Sequence, residues 1–151
     1  MRKGFTLVEL LIVIAILSIL STLGVSNFQS ARIKARDIAR KSDLATIAKS
    51  LEAYVNDHRS YPLSNSSNKI ICNSPNICDW GAPFSDGTTL YTSTLPREAK
   101  TTQQYIYVSD GQSFSLYAHL ENTNDPAIQS FNPVIKCGTP DCNYIISSSN
   151  K

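Results

Sequence analysis

The 151 residues are one domain's worth of chain. A formal net charge of +2 is divided among segments, seven basic against four acidic residues over 28–59 and five against seven over 60–151. So small and segregated a balance argues against a general nucleic-acid binder. All seven prolines and all four cysteines lie beyond residue 60. That asymmetry excludes a uniform fold and predicts one long uninterrupted helix followed by a compact, turn-rich head.

The chain opens with a short basic leader, Met1-Arg2-Lys3-Gly4, and then runs apolar from Phe5 to about Val25. Leu10–Leu23 holds no charge, and only Ser18, Ser21 and Thr22 interrupt it. A bilayer span needs roughly 20 such residues, so residues 5–27 read as a transmembrane helix segment after a leader at 1–4. One carboxylate, Glu9, sits near its start. A charge in the middle of a span costs about 2.5–3.5 kcal/mol on insertion scales, which makes an intramembrane acid a functional candidate. A secretory signal or signal anchor is the bland alternative, with Thr22-Leu23-Gly24 as a small-residue cleavage site. However, the apolar run is longer than such signals need and flows into a charged helical pattern.

Gly4-Phe5-Thr6-Leu7-Val8-Glu9-Leu10-Leu11 resembles the processing site of the type IV pilin and pseudopilin family. The resemblance implies that a prepilin peptidase and methyltransferase cuts after Gly4 and N-methylates Phe5. It also implies that Glu9 meets the N-terminal amine of a neighbouring subunit during assembly. An acid and an ammonium, each costly alone in hydrocarbon, offset one another when brought together. The expected partners are identical subunits and other pilins in a polymer, a membrane assembly platform, and the lipid bilayer before assembly. No specific nucleic acid is expected. The expected location is the cytoplasmic membrane, single-pass with the head outside, and then an extracellular or periplasmic filament.

Beyond Phe28 the helical pattern continues. Leu44, Ile47, Ala48, Leu51, Tyr54 and Val55 recur at spacings of three and four, the period of an amphipathic helix. Arg40, Lys41, Asp43, Lys49 and Glu52 occupy the other positions. A stalk helix over 28–59 follows, broken at Ser60 and Pro62. The run from Ala35 to Leu44, with Leu51-Glu52-Ala53-Tyr54 and Tyr61-Pro62, extends the resemblance toward the major pseudopilin of type II secretion. Many pilins carry a proline near the end of the membrane segment; here Gly24-Val25-Ser26-Asn27 stands there instead, leaving Gly24 as the weak helix former. The basic run Arg32, Lys34, Arg36, Arg40 and Lys41 would ordinarily mark the cytoplasmic side, against the leader. Pairing with Asp37, Asp43 and neighbouring subunits is the reading that keeps the leader inside.

Residues 60–151 read as a globular head with a small antiparallel β-sheet, so the fold class is α+β: a long N-terminal helix packed against that sheet. Tyr105–Val108 and Ser113–Leu120 flank Asp110-Gly111, a strong hairpin signal. Leu90-Tyr91 and Tyr144–Ile146 offer further strands, and Ser64–Asn76 and Asn122–Pro133 look like loops. Cys72, Cys78, Cys137 and Cys142 form two close sequence pairs. Four cysteines allow three connectivities; local pairing is the simplest, and an oxidising compartment favours disulfides over zinc. No nucleophile–base–acid arrangement emerges, so no enzyme and no cofactor are expected. His58 and His119 stand far apart. The secretion branch of the family implies a calcium site in a head loop, but no ligand set matches residue by residue, Asp110 and Asp125 being the only candidates. The function expected is a structural subunit of a type IV pilus or pilus-like filament. Alternatives are a type II secretion pseudopilin or, in a different class, a membrane-anchored extracytoplasmic binding domain.

Overall fold

One helix, α1 (Leu7–His58), runs through Gly24 without a break. The computed structural model describes residues 4–148, and of residues 22–27 the backbone alone; Arg2 and Lys3 of the basic leader therefore lie outside the described residues. The helix closes where Arg59 turns left-handed (φ 58°) and its N–H donates to the Val55 carbonyl at 2.8 Å. That is the position glycine most often fills at a helix end. Pro62 prevents any resumption.

The chain divides into two compact units, Met1–Arg36 and Asp37–Lys151. In the first, the large apolar side chains from Phe5 to Leu20 are exposed, from 46% at Val13 to 82% at Phe5. Two hydroxyls within the apolar run bond to the helix itself: Ser18 Oγ donates to the Ile14 carbonyl and Ser21 Oγ to that of Leu17, each at 2.7 Å. Both polar interruptions are thus satisfied by the helix's own backbone. Among the described residues no helix is long and apolar enough to cross a membrane.

The second unit packs the C-terminal part of α1 on three small antiparallel sheets, the α+β arrangement expected. β1 (Ile70–Asn73) pairs with β2 (Asn76–Cys78), β3 (Phe84–Ser85) with β4 (Leu90–Thr92), and β5 (Ile106–Ser109), β6 (Phe114–Ala118) and β7 (Tyr144–Ser147) form a three-stranded sheet in that order. The Asp110-Gly111 turn joins β5 to β6. Asp110 Oδ1 accepts the N–H groups of Gln112 and Ser113, and Gly111 takes φ 88°. Residues 64–76, expected as a loop, instead contain β1 and the start of β2. The β-branched pair Ile70-Ile71 outweighs the surrounding Ser and Asn, and the hairpin is closed by the Cys72–Cys78 disulfide.

Alternation along β6 sorts the core. Phe114, Leu116 and Ala118 are buried with Leu44, Ile47 and Leu51 of α1, joined by Tyr61, Ile70, Phe84, Leu95, Tyr105 and Tyr107. Ile106 and Tyr117 face the opposite way, onto Phe131, Ile135 and the Cys137–Cys142 disulfide. The sheet is therefore covered on both faces, and its second cover is a disulfide-closed loop.

Gly138 is the tightest point of that loop. It takes φ 89°, and a β-carbon there would stand 2.5 Å from the Thr102 carbonyl oxygen. Thr139 N–H donates to the same carbonyl at 2.9 Å and Gln104 N–H to the Cys137 carbonyl at 3.0 Å. Gly138→Ala must both strain the backbone and displace a main-chain oxygen. It is expected to lower head stability by roughly 2 kcal/mol or more, read as a lower urea midpoint.

Candidate functional site

The N-terminus of α1 is built by Thr6 and Glu9. Thr6 Oγ1 accepts the Glu9 N–H at 3.3 Å, and Glu9 Oε2 reaches back to both the Thr6 N–H and the Thr6 hydroxyl at 2.8 Å. This reciprocal pair is a capping box, which satisfies donors that a helix start otherwise leaves orphaned. Both bonds fall on Oε2. Oε1 takes no hydrogen bond among the described residues, so the carboxylate retains a free face for a further cation. Gly4 precedes the cap with nothing within 4 Å of where a β-carbon would stand, and Phe5 is exposed. The arrangement presents an open Gly4–Phe5 peptide, one half-satisfied acid and an uncovered apolar helix in direct succession.

Two of the stalk cations, Arg40 and Lys41, are engaged within the head. Arg40 is 2% exposed. Its Nη1 lies 2.8 Å from Asp37 Oδ1 and 2.8 Å from Glu121 Oε1, while Nε and Nη2 fork onto Glu98 at 2.7 and 3.1 Å. Burial alone would push the guanidinium down. The Glu98, Glu121 and Asp37 carboxylates outweigh burial and raise it above the ordinary arginine value. Asp37, itself buried, also accepts the Glu121 and Asn122 N–H groups at 2.9 and 2.8 Å. Lys100 Nζ closes the set on Glu121 Oε2 at 2.6 Å.

Beside it, Lys41 Nζ holds both oxygens of Asp125 at 2.7 Å. That bond, with the Ala127 N–H, sets the Asp125 carboxyl below its usual range. Asp43 accepts the Tyr105 hydroxyl at 2.6 Å; burial, then this bond, push the Tyr105 phenol up. The expected pairing of Arg40 with Asp37 is present, but Arg40 and Lys41 are engaged chiefly by loops of their own head. Arg32 lies over the Phe28 ring at 4.8 Å.

Asp110 and Asp125, the only cation-site candidates, are occupied by turn N–H groups and by Lys41 respectively. Among the described residues no group of three or more His, Cys, Asp or Glu side chains converges as a metal site would require. His58 stacks on Tyr54 at 4.1 Å and meets Asp86 Oδ2 at 2.8 Å. The Thr89 N–H, then His58 and the Thr88 N–H, hold Asp86 well below the carboxylate range. His119 Nδ1 contacts the Asp141 carbonyl oxygen at 2.7 Å. The two histidines sit in separate structural networks.

Sequence reasoning missed two things. The Thr6-x-x-Glu9 spacing ahead of an apolar run is itself a capping-box signal. The arrival of Glu98 and Glu121 at the Asp37–Arg40 pair has no local signal, since Glu98 stands 58 residues from Arg40 and Glu121 84 from Asp37.

Residues 1–25 match the family model described as a prokaryotic N-terminal methylation motif. The chain is 31% identical over 111 residues to the type II secretion system core protein G of Aeromonas hydrophila, covering 74% of this chain and 76% of that one. It is 27% identical over 111 residues to the Escherichia coli core protein G, covering 74% of each. Over 59 residues it is 46% identical to the type IV wide pilus major component PilA4 of Thermus thermophilus, covering 39% of this chain and 45% of that one. No solved structure matches it significantly.

Proposed function

The chain belongs to the type IV pilin and pseudopilin family, and on that premise we propose that it is a prepilin-type structural subunit, cut after Gly4, N-methylated at Phe5 and polymerised through α1. The observation that carries this reading is the uncovered apolar helix capped by a single acid. Twelve large apolar side chains between Phe5 and Leu20 are exposed. At about 1.5–3 kcal/mol each, covering them is worth on the order of 20 kcal/mol. The charge of Glu9 costs about 2.5–3.5 kcal/mol in lipid, far too little to keep the segment in water.

In the precursor, lipid is the cover: residues 5–27 supply the span, with the leader inside and the head outside. The buried position of Arg40 and the Lys41–Asp125 pair support that orientation, because both cations are neutralised within the head and count less as cytoplasmic anchors. In the filament, other copies of α1 replace lipid. Glu9 keeps its own helix capped through Oε2 and offers Oε1 to the N-terminal ammonium of an adjacent subunit, so register is set where charge is cancelled. The subunit works with a prepilin peptidase and methyltransferase and a membrane assembly platform, and it performs no catalysis itself.

Intact-mass measurement of the chain purified from filaments tests the first step. The expected mass lacks Met1–Gly4 and carries one added methyl group. Gly4→Val is expected to leave the precursor at full length, since the open peptide at Gly4 gains a branched side chain. A Gly4→Val chain that still loses Met1–Gly4 would remove Gly4 from the cleavage site.

A second reading, a pseudopilin of a type II secretion system, is favoured by one observation. Similarity to the core G proteins spans 111 residues and enters the head, whereas similarity to PilA4 spans 59. Deleting the chain separates the two: loss of surface filaments supports a pilus, and exported proteins retained in the cell support secretion.

A further inference from the structure

Two clefts meet at the turn Asp79-Trp80-Gly81-Ala82 of the head. One, of about 510 Å³, includes Lys69, Asp79, Trp80, Arg97, Lys100 and Gln103 in its lining. The other, of about 580 Å³, runs from the far side of Trp80 and Arg97 along Thr94–Pro96. Trp80 and Arg97 line both and form the wall they share. We propose that this groove binds an acidic saccharide, with the Arg97 guanidinium on the sugar carboxylate, the Trp80 ring on a pyranose face and the Gln103 amide on a hydroxyl.

The walls are rigid. Gly81 at the third turn position takes φ 89°, as a type II turn requires, and Ala82 N–H donates to the Asp79 carbonyl at 3.0 Å. Gly81 N–H donates to the Leu95 carbonyl at 2.8 Å, and Leu95 N–H to that of Ala82 at 2.7 Å. The two segments are thereby bonded back to back. The Trp80 ring stands edge-on to Tyr105 at 6.1 Å and 84°, and Tyr105 is tied to Asp43. The Arg97 stem runs beside Gly81, where a β-carbon would stand 3.7 Å from its Cδ.

Charge bookkeeping selects the ligand. Lys69 pairs with Asp79, Lys100 with Glu121, and Glu98 with Arg40. Arg97 has no ion-pair partner among the described residues, so the groove holds one unpaired positive charge. A strand of nucleic acid presents a phosphate at every step and is gripped by tracks of cations; a single guanidinium suits a single carboxylate, which it takes in a two-point fork. A half-buried indole beside it offers an electron-rich face to the partly positive C–H face of a pyranose. Gln103 Oε1 is buried with no partner among the described residues. The terminal torsion of glutamine is soft, so the amide turns to a ligand hydroxyl at little cost.

Trp80 is the sole tryptophan, so its fluorescence reports the groove directly in the full chain held in detergent micelles. Three probes are titrated: hyaluronan tetrasaccharide, trigalacturonate and sialyllactose. The expected result is a saturable emission change with at least one of them. Methyl-esterifying its carboxylates, or introducing Arg97→Gln, is expected to weaken that response at least tenfold. Arg97 is exposed, so the variant folds, as an unchanged far-ultraviolet spectrum will verify. No saturable response to any of the three overturns the proposal. So does equal binding of the ester, unchanged affinity in Arg97→Gln, or tighter binding of a thymidine dodecamer than of every sugar.

Discussion

Arg40→Ala is expected to destabilise the head by about 3–5 kcal/mol, the cost of leaving buried partners of a removed charge uncompensated. The magnitude rests on burial. An ion pair in water contributes about 0–1 kcal/mol, and if Arg40 were solvated its removal would hardly register. Instead Asp37, Glu98 and Glu121 all point at one guanidinium whose side chain is 2% exposed. Without it, Asp37, Glu98 and Glu121 lose the cation they share, while Lys100 stays on Glu121. Urea unfolding followed by Trp80 emission measures the loss. With a slope of about 1–3 kcal/mol per molar urea for a domain of this size, the midpoint is expected to fall by roughly 2 M. Arg40→Met with Glu98→Gln and Glu121→Gln removes two of the three orphaned charges together with their partner, leaving Asp37 on the Glu121 and Asn122 N–H groups, and should recover part of the stability. A single-variant loss under about 1 kcal/mol would show that water reaches the cluster and that the pairs behave as surface contacts.

That cluster also marks where sequence stops being informative. The long helix was legible because its signals are local: no proline before residue 62, apolar spacing of three and four from Leu44 to Val55, and a break at Ser60 and Pro62. The β5–β6 hairpin was legible through Asp110-Gly111 flanked by alternating residues. Arg40 was not, because nothing within ten residues of it separates a buried guanidinium from a solvated one; the difference lies in Glu98 and Glu121, which the fold brings across. The three-sheet division was likewise hidden. β3 is two residues long, and strands this short carry no period to count. At the N-terminus Glu9 was visible as an anomalous acid, yet its bonds to Thr6 emerge only when the first turn is built. The groove at Trp80 left no trace either, because its unpaired Arg97 is defined by which other cations find partners.

Glu9→Gln is expected to reduce filament yield at least tenfold while leaving membrane insertion, cleavage and helix start intact. The choice of glutamine decides what is measured. Glu9→Ala removes the capping box and the charge together, and a lost cap alone costs about 0.5–2 kcal/mol. Glutamine serves at the same capping position and still accepts from the Thr6 N–H and hydroxyl, so only the negative charge is lost. If the charge is what an incoming subunit's ammonium meets in a water-poor filament core, then deleting it leaves that ammonium unpaired. A coupling of even about 1.4 kcal/mol changes subunit addition tenfold, and the penalty recurs at every joint of the polymer. Yield is read by shearing and quantifying surface filaments, and insertion by the membrane-bound pool of the full chain. Should Glu9→Gln polymerise like the wild type while Glu9→Ala does not, the acid acts only as a helix cap. The register of the filament would then have to come from packing of the apolar side chains between Phe5 and Leu20 alone.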